Sequence, residues 1–137
     1  MTTVAAPSPS LAADRLPLFV GLGVLLWFVA AMMFRLLGPA LLIPGSATLP
    51  LVFAGCIPLA WVFLKIGVTL GRVSGAGTLL AAAVMSAVAM FLDALALTFF
   101  PALYGLPTAQ LLLVAALLLW GVAWILFFAY VQTRRTQ

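Results

Sequence analysis

Long uninterrupted runs of apolar residues, separated by short stretches rich in Gly, Pro or polar residues, dominate the chain. Four runs cover residues 17–37, 49–70, 76–100 and 107–131. A helix needs about 20 apolar residues to cross the hydrocarbon core of a bilayer, and each run reaches that length. A transmembrane β-barrel would instead show apolar and polar residues alternating along segments of about ten residues. The pattern therefore predicts four transmembrane helices.

The connections between the runs are short and read GPALLIPGSAT, GRVSG and PALYGL. Gly and Pro mark turns, and short connections make consecutive helices antiparallel neighbours. The predicted fold class is therefore all-α: a polytopic membrane protein with four transmembrane helices in an antiparallel up-down bundle. The bundle forms a single domain over residues 17–131.

Both ends of the chain lack long apolar runs. Residues 1–16 are rich in Ala, Pro, Ser and Thr, which predicts a disordered tail because such a segment buries too little apolar surface to fold. Residues 132–137 predict a second short tail. A signal peptide places its positive charge before a shorter apolar core, whereas the run after Arg15 has membrane-spanning length. We therefore expect the first run to remain as an uncleaved helix.

The two pairs of runs share short motifs. Residues 39–41 and 101–103 both read Pro-Ala-Leu, and residues 60–61 and 123–124 both read Ala-Trp, so one single-residue gap aligns both motifs. One interpretation is two parallel helical-hairpin repeats, as in transporters built by duplication. The other is coincidence in a sequence rich in Leu and Ala.

The composition supports a lipid environment, since 67% of the 137 residues are hydrophobic and 6% are charged, against about 25% charged in soluble domains. The basic residues form no patch that would bind nucleic acid. Under the positive-inside rule, their distribution instead places both termini in the cytoplasm. Arg35 lies on the opposite side, whereas the side of the termini holds Arg15, Lys65, Arg72, Arg134 and Arg135.

Most of these basic residues need no protein partner. We expect Lys65 to snorkel from the second run to the inner interface, with its aliphatic stem along the helix. Arg72, Arg134 and Arg135 lie at or beyond that interface, where they can contact anionic lipid headgroups.

A single carboxylate, Asp93, interrupts the third run, and the only other acidic residue is Asp14. An unpaired charge within a bilayer costs at least about 2.5 kcal/mol. Asp93 can form an ion pair with Arg35, take up a proton, or line a water-filled cavity. We favour the ion pair, because the rise per residue places both side chains in the same half of the membrane and a guanidinium suits a carboxylate.

Small residues recur every three or four positions around Asp93 on the third run: Ala82, Ser86, Ala89 and Ala96. Such a stripe allows helices to approach closely within a membrane. We therefore expect Asp93 to face another helix, and the ion pair with Arg35 makes the first helix its partner.

Aromatic side chains share one face of the fourth run, at Trp120, Trp124 and Phe127. This face either binds a hydrophobic ligand or packs into the protein core, and core packing is the favoured interpretation.

The chemistry of enzymes and metal sites is scarce in this sequence, which has no His and one cysteine, Cys56. The chain offers no cluster of ligands for a metal or a haem, so we expect neither a metal nor another cofactor. It also offers no pairing of nucleophile and base, so we expect a protein that is not an enzyme.

The segment of Asp93 is followed by FFPALYG and by a final run that contains LLLWGVAWILFF. In these features the chain resembles small four-helix bacterial membrane proteins grouped in families of unknown function. The resemblance covers the third and fourth runs. It implies a bacterial inner (plasma) membrane location and supplies no activity.

Three functions fit these observations. The favoured one is a structural or accessory subunit that acts through helix–helix contacts with itself or with another membrane protein. The second is a small oligomeric transporter or channel in which Asp93 binds a proton or a cation. The third is a binder of hydrophobic ligands that uses the aromatic face of the fourth run.

Overall fold

The computed structural model describes residues 15–137, and within that range it contains helices and no strands. The helices are α1 (Leu16–Leu41), α2 (Thr48–Gly71), α3 (Ala76–Phe99) and α4 (Thr108–Arg135), with a short 3₁₀ helix (Pro101–Leu103) between α3 and α4. Each of the four α-helices is long and apolar enough to cross a membrane. The predicted all-α four-helix bundle is thus confirmed. Most of the tail predicted over residues 1–16 lies outside the described residues.

Two helices extend beyond their predicted ends. Helix α1 continues through Pro39 to Leu41, and its last turn is closed by a hydrogen bond from the Leu42 N–H to the Gly38 carbonyl at 2.8 Å. A Cβ on Gly38 would lie 2.9 Å from Leu106 Cδ1, so close packing supports this turn despite the proline. Helix α4 continues to Arg135 and includes much of the tail expected over residues 132–137. Its last turn ends with two arginines, which interact favourably with a helix C-terminus.

The helices do not pack simply in chain order. Helix α1 packs most extensively on α3, α2 on α4, and α3 on α4, whereas α2 makes limited contact with α1 and α3. Of the three consecutive pairs, only α3 and α4 are therefore close neighbours. The connections at residues 42–47 and 100–107 share one end of the bundle, called here the upper end. The connection at residues 72–75 and the C-terminus lie at the lower end.

The contact between α1 and α3 depends on a glycine. A Cβ on Gly23 would lie 2.9 Å from the carbonyl oxygen of Met85 and 3.0 Å from Val88 Cβ. Small residues of this kind let membrane helices approach backbone to backbone. The predicted pairing of the first and third helices is present, and it brings the middle of α1 beside the polar residues of α3.

Candidate functional site

Asp93 lies inside the bundle and is 7% exposed. Its Oδ1 accepts a hydrogen bond from Trp27 Nε1 on α1 and another from the Tyr104 hydroxyl, each 2.9 Å long. Both donors are neutral. The carboxyl group therefore joins α1, α3 and the upper connection without a cation from the described part of the chain.

The stripe of small residues on α3 explains why Asp93 points inward. Ala82, Ser86 and Ala96 are buried with Asp93, and Ala89 is partly buried. Because these residues repeat every three or four positions, they occupy one helix face. That face turns toward the other helices, as expected from the sequence.

The turn after α3 places Tyr104 next to Asp93. The N–H of Tyr104 donates to the Pro101 carbonyl at 3.1 Å, which closes the 3₁₀ helix, and the Tyr104 side chain is fully buried. Gly105 follows with φ of +62°, a conformation that a glycine adopts without strain. Burial, together with the nearby Asp93 carboxylate, raises the pKa of the Tyr104 hydroxyl, so this hydroxyl keeps its proton and remains a donor.

The expected ion pair between Arg35 and Asp93 does not form. Arg35 is exposed, and its Nη1 donates to the carbonyl oxygens of Leu103 at 2.8 Å and Ala102 at 3.1 Å. The 3₁₀ turn offers these carbonyls as acceptors for a cation, while Trp27 and Tyr104 already bind Asp93 deeper in the bundle. Arg35 therefore anchors the upper connection to α1 and leaves the carboxylate to neutral donors.

A central cavity of about 110 Å³ lies among all four helices, and Asp93 forms part of its wall. Ser86 also lines this cavity; its Oγ is buried and has no hydrogen-bond partner among residues 15–137. Both hydrogen bonds to Asp93 fall on Oδ1, so Oδ2 accepts none from the described residues. The cavity has several times the volume that one water molecule needs. It can therefore admit water or a small group beside the carboxylate.

A larger apolar groove of about 400 Å³ separates α1 and α2 in the upper half of the bundle. Thr48 contributes the only hydroxyl among its lining residues. The groove adjoins the central cavity, because five residues line both: Ala30, Phe34, Cys56, Leu59 and Leu117.

The aromatic residues of α4 lie away from both spaces. Trp120 packs at 5.9 Å, centroid to centroid, against Phe53 of α2, and its Nε1 donates to the Phe53 carbonyl at 3.0 Å. The ring of Trp124 lies between those of Trp120 and Phe127, and Trp120 and Phe127 are also partly exposed. Trp120 therefore contributes to the α2–α4 contact, and none of these three side chains lines either cavity.

The basic residues predicted at one interface belong to the lower half of the bundle. The Lys65 ammonium lies 4.5 Å from the centroid of the Trp61 ring, and Arg134 donates to the Tyr130 hydroxyl at 3.0 Å. Arg72 forms the C-cap of α2 with φ of +50°, and Arg135 is the last residue of α4. Arg15 donates to the Gly71 carbonyl at 2.6 Å and thereby ties the start of α1 to the end of α2.

Sequence reasoning missed Trp27 and Tyr104 as partners of Asp93. The sequence-based prediction considered only a basic side chain as the partner of the Asp93 carboxylate. An indole N–H and a phenol O–H also donate hydrogen bonds to a carboxylate. The available signal was Trp27 itself, which is a hydrogen-bond donor eight residues before Arg35 on the same run. Nothing in the sequence pattern indicated that the turn after α3 would fold Tyr104 back onto that helix.

Comparison with known proteins identifies a family whose model matches this chain. The model of a family of unknown function, DUF5367, matches residues 41–136, which contain Ser86, Asp93 and Tyr104 but not Trp27. No curated protein and no solved structure matches the chain. Because the match covers well over half of the sequence and the fold is a bundle of four membrane-length helices, this chain belongs to the DUF5367 family, whose function is unknown.

Proposed function

We propose that this protein is a small membrane transporter in which Asp93 binds a proton or a cation inside the central cavity. One observation carries the proposal: a buried carboxylate lines a cavity between all four helices, and its hydrogen-bond donors among residues 15–137 are all neutral. The proposal contains no bond-making or bond-breaking step, in line with the expectation of a protein that is not an enzyme.

The charge of Asp93 is the basis of this function. Hydrogen bonds from Trp27 and Tyr104 stabilise a carboxylate, but they leave its net negative charge inside the membrane, where charge is costly. No basic side chain among residues 15–137 lies within ion-pair distance of it. A proton or a cation that enters the cavity removes this cost, so the site favours binding of either.

Two buried hydroxyls, those of Ser86 and Thr78, lie between Asp93 and the lower end of α3. Ser86 lies seven residues before Asp93 and Thr78 eight residues before Ser86, which keeps all three near one face of α3. The hydroxyls of Ser86 and Thr78 are both buried without a hydrogen-bond partner in the described part of the chain. They could bind water or a moving proton between the cavity and the lower end. Because four helices enclose little space, we assign transport to an oligomer.

We further propose that the protein resides in a bacterial inner membrane with both termini in the cytoplasm. The concentration of basic residues in the lower half supports this orientation under the positive-inside rule. A reporter fused to the C-terminus that is active only in the cytoplasm should be active, and activity of a periplasmic reporter at that position would reverse the assignment.

The direct experiment is flux into proteoliposomes under an imposed gradient of protons, Na⁺ or K⁺, each followed with an enclosed dye that responds to that ion. We expect flux above that of protein-free vesicles, its loss in Asp93→Asn, and its retention in Asp14→Asn, which removes the only other acidic side chain. Flux equal to that of protein-free vesicles, or equal flux in wild type and Asp93→Asn, would refute the proposal.

A structural or accessory subunit is the second candidate, favoured by the way Asp93 connects α1, α3 and the upper connection. In that case the carboxylate only holds the bundle together. Asn offers the same Oδ1 acceptor, so a purely structural site should tolerate Asp93→Asn with function intact. Recovery of a second membrane protein in stoichiometric amount after purification in mild detergent would favour this candidate.

A further inference from the structure

We propose that the site accepts a lipophilic organic cation, such as a bulky ammonium or phosphonium ion, which enters sideways from the bilayer through the groove between α1 and α2. This inference rests on the proposed function, because it specifies the cation that Asp93 binds. It comes from the juxtaposition of an apolar groove with a buried carboxylate.

The groove faces the membrane. Helices α1 and α2 make limited contact, and the space of about 400 Å³ between them is lined almost entirely by apolar side chains. Leu37 on one edge is 49% exposed and Leu51 on the other is 73% exposed. In a membrane-spanning bundle, side chains exposed in this way contact lipid. A hydrophobic molecule dissolved in the bilayer can therefore reach the groove without crossing water.

The groove leads inward to Asp93. The five residues shared with the central cavity carry no charge, and among them Ala30 and Cys56 are small. Asp93 lines this cavity, and its Oδ2 accepts no hydrogen bond from the described residues. A ligand with its apolar body in the groove can therefore direct one positive group toward the carboxylate.

The lining selects the charge of this ligand. Phe34 and Trp27 line the central cavity beside Asp93, and aromatic rings attract a cation near their faces. A neutral molecule gains nothing from the carboxylate, and an anion is repelled by it. A small metal ion would have to shed its hydration shell to pass through an apolar groove, which is strongly unfavourable. A delocalised or alkylated cation is attracted by the carboxylate and can also pass through the apolar groove, because it has no tightly bound hydration shell.

Equilibrium dialysis of radiolabelled methyltriphenylphosphonium against the full chain in detergent micelles tests the inference, with protein-free micelles subtracted. We expect saturable binding that weakens by about tenfold or more in Asp93→Asn, which corresponds to at least about 1.4 kcal/mol. Asp14→Asn should bind as wild type does, and neutral triphenylphosphine oxide should not compete.

Two glycines provide a matched pair for the route of entry. A Cβ on either Gly55 or Gly21 meets no atom within 4 Å, so both positions have room for a large side chain. Gly55 lines the groove, whereas Gly21 does not. Gly55→Phe should therefore weaken phosphonium binding by about tenfold, an effect of about 1.4 kcal/mol, while Gly21→Phe should leave binding unchanged.

The outcomes separate this inference from the proposed function. Proton or alkali-cation flux that depends on Asp93, without saturable phosphonium binding, would overturn the inference and leave the proposed function standing. Absence of both would overturn both. Phosphonium binding that depends on Asp93 but is equal in Gly55→Phe and wild type would overturn entry through the groove.

Discussion

The two hairpins of the bundle, α1–α2 and α3–α4, share sequence motifs but differ in packing. Helices α3 and α4 contact each other extensively, whereas α1 and α2 leave an apolar groove. The Pro-Ala-Leu motif also takes two forms, since residues 39–41 end an α-helix and residues 101–103 form a separate 3₁₀ helix. Similar short motifs therefore do not impose the same turn.

Corresponding positions around these motifs differ in chemistry. The residue after each motif is buried, Leu42 in the first hairpin and Tyr104 in the second. The residue eight positions before each motif is buried as well, Ala31 in the first and Asp93 in the second. The first hairpin thus has apolar side chains, Ala31 and Leu42, at the positions where the second has the hydrogen-bonded pair Asp93 and Tyr104. Duplication of the hairpins stays a prediction. Asp93 and Tyr104 of the polar site lie in the second hairpin, and Trp27 from the first hairpin donates a hydrogen bond to Asp93.

The largest loss of stability should come from a bulky side chain at Gly23, which would push α1 of the first hairpin away from α3 of the second. Gly23→Leu would press a side chain into the backbone of α3 at Met85, so we expect a loss of about 3 kcal/mol in the free energy of unfolding, at the upper end for overpacking. Unfolding by SDS in detergent micelles measures it. Gly21→Leu on the same helix has open space and should change stability by no more than about 0.5 kcal/mol. Equal stability of the two variants would show that α1 and α3 do not approach as described.

A smaller loss of stability should follow when Asp93 and Tyr104 of the second hairpin are replaced by Ala and Leu, the residues at the corresponding positions of the first hairpin. Asp93→Ala leaves the buried hydroxyl of Tyr104 without its acceptor, and we expect it to cost about 2 kcal/mol. Adding Tyr104→Leu removes the unpaired hydroxyl, so the double variant should be more stable than the sum of the single changes by about 1 kcal/mol. The same SDS unfolding measurement completes this cycle. Strict additivity would mean that the two side chains do not interact.

The sequence predicted the general fold well because the signal for a membrane helix lies in long local runs. The four runs became α1 to α4, and only the ends of α1 and α4 moved appreciably, since packing at Gly38 and the arginines of α4 extended those helices. The burial of Asp93 also followed from a local feature, the stripe of small residues on α3.

The partners of Asp93 and both cavities could not be predicted in the same way. Whether Trp27 or Arg35 reaches the carboxylate depends on how α1 is rotated against α3, and the placement of Tyr104 depends on the turn after α3. The groove exists because α1 and α2 pack loosely, which is a property of the whole bundle. These features arise from tertiary packing, which a pattern of apolar residues does not encode.

The most direct test of the central claim, that neutral donors rather than Arg35 hold Asp93, is the indole N–H resonance of Trp27 in ¹⁵N-labelled protein. The chain has four tryptophans, so Trp27→Phe assigns this resonance by its disappearance. Because the Trp27 indole donates to Asp93, we predict that its resonance shifts in Asp93→Asn and keeps its position in Arg35→Gln. A Trp27 resonance that is unmoved by Asp93→Asn would contradict the account.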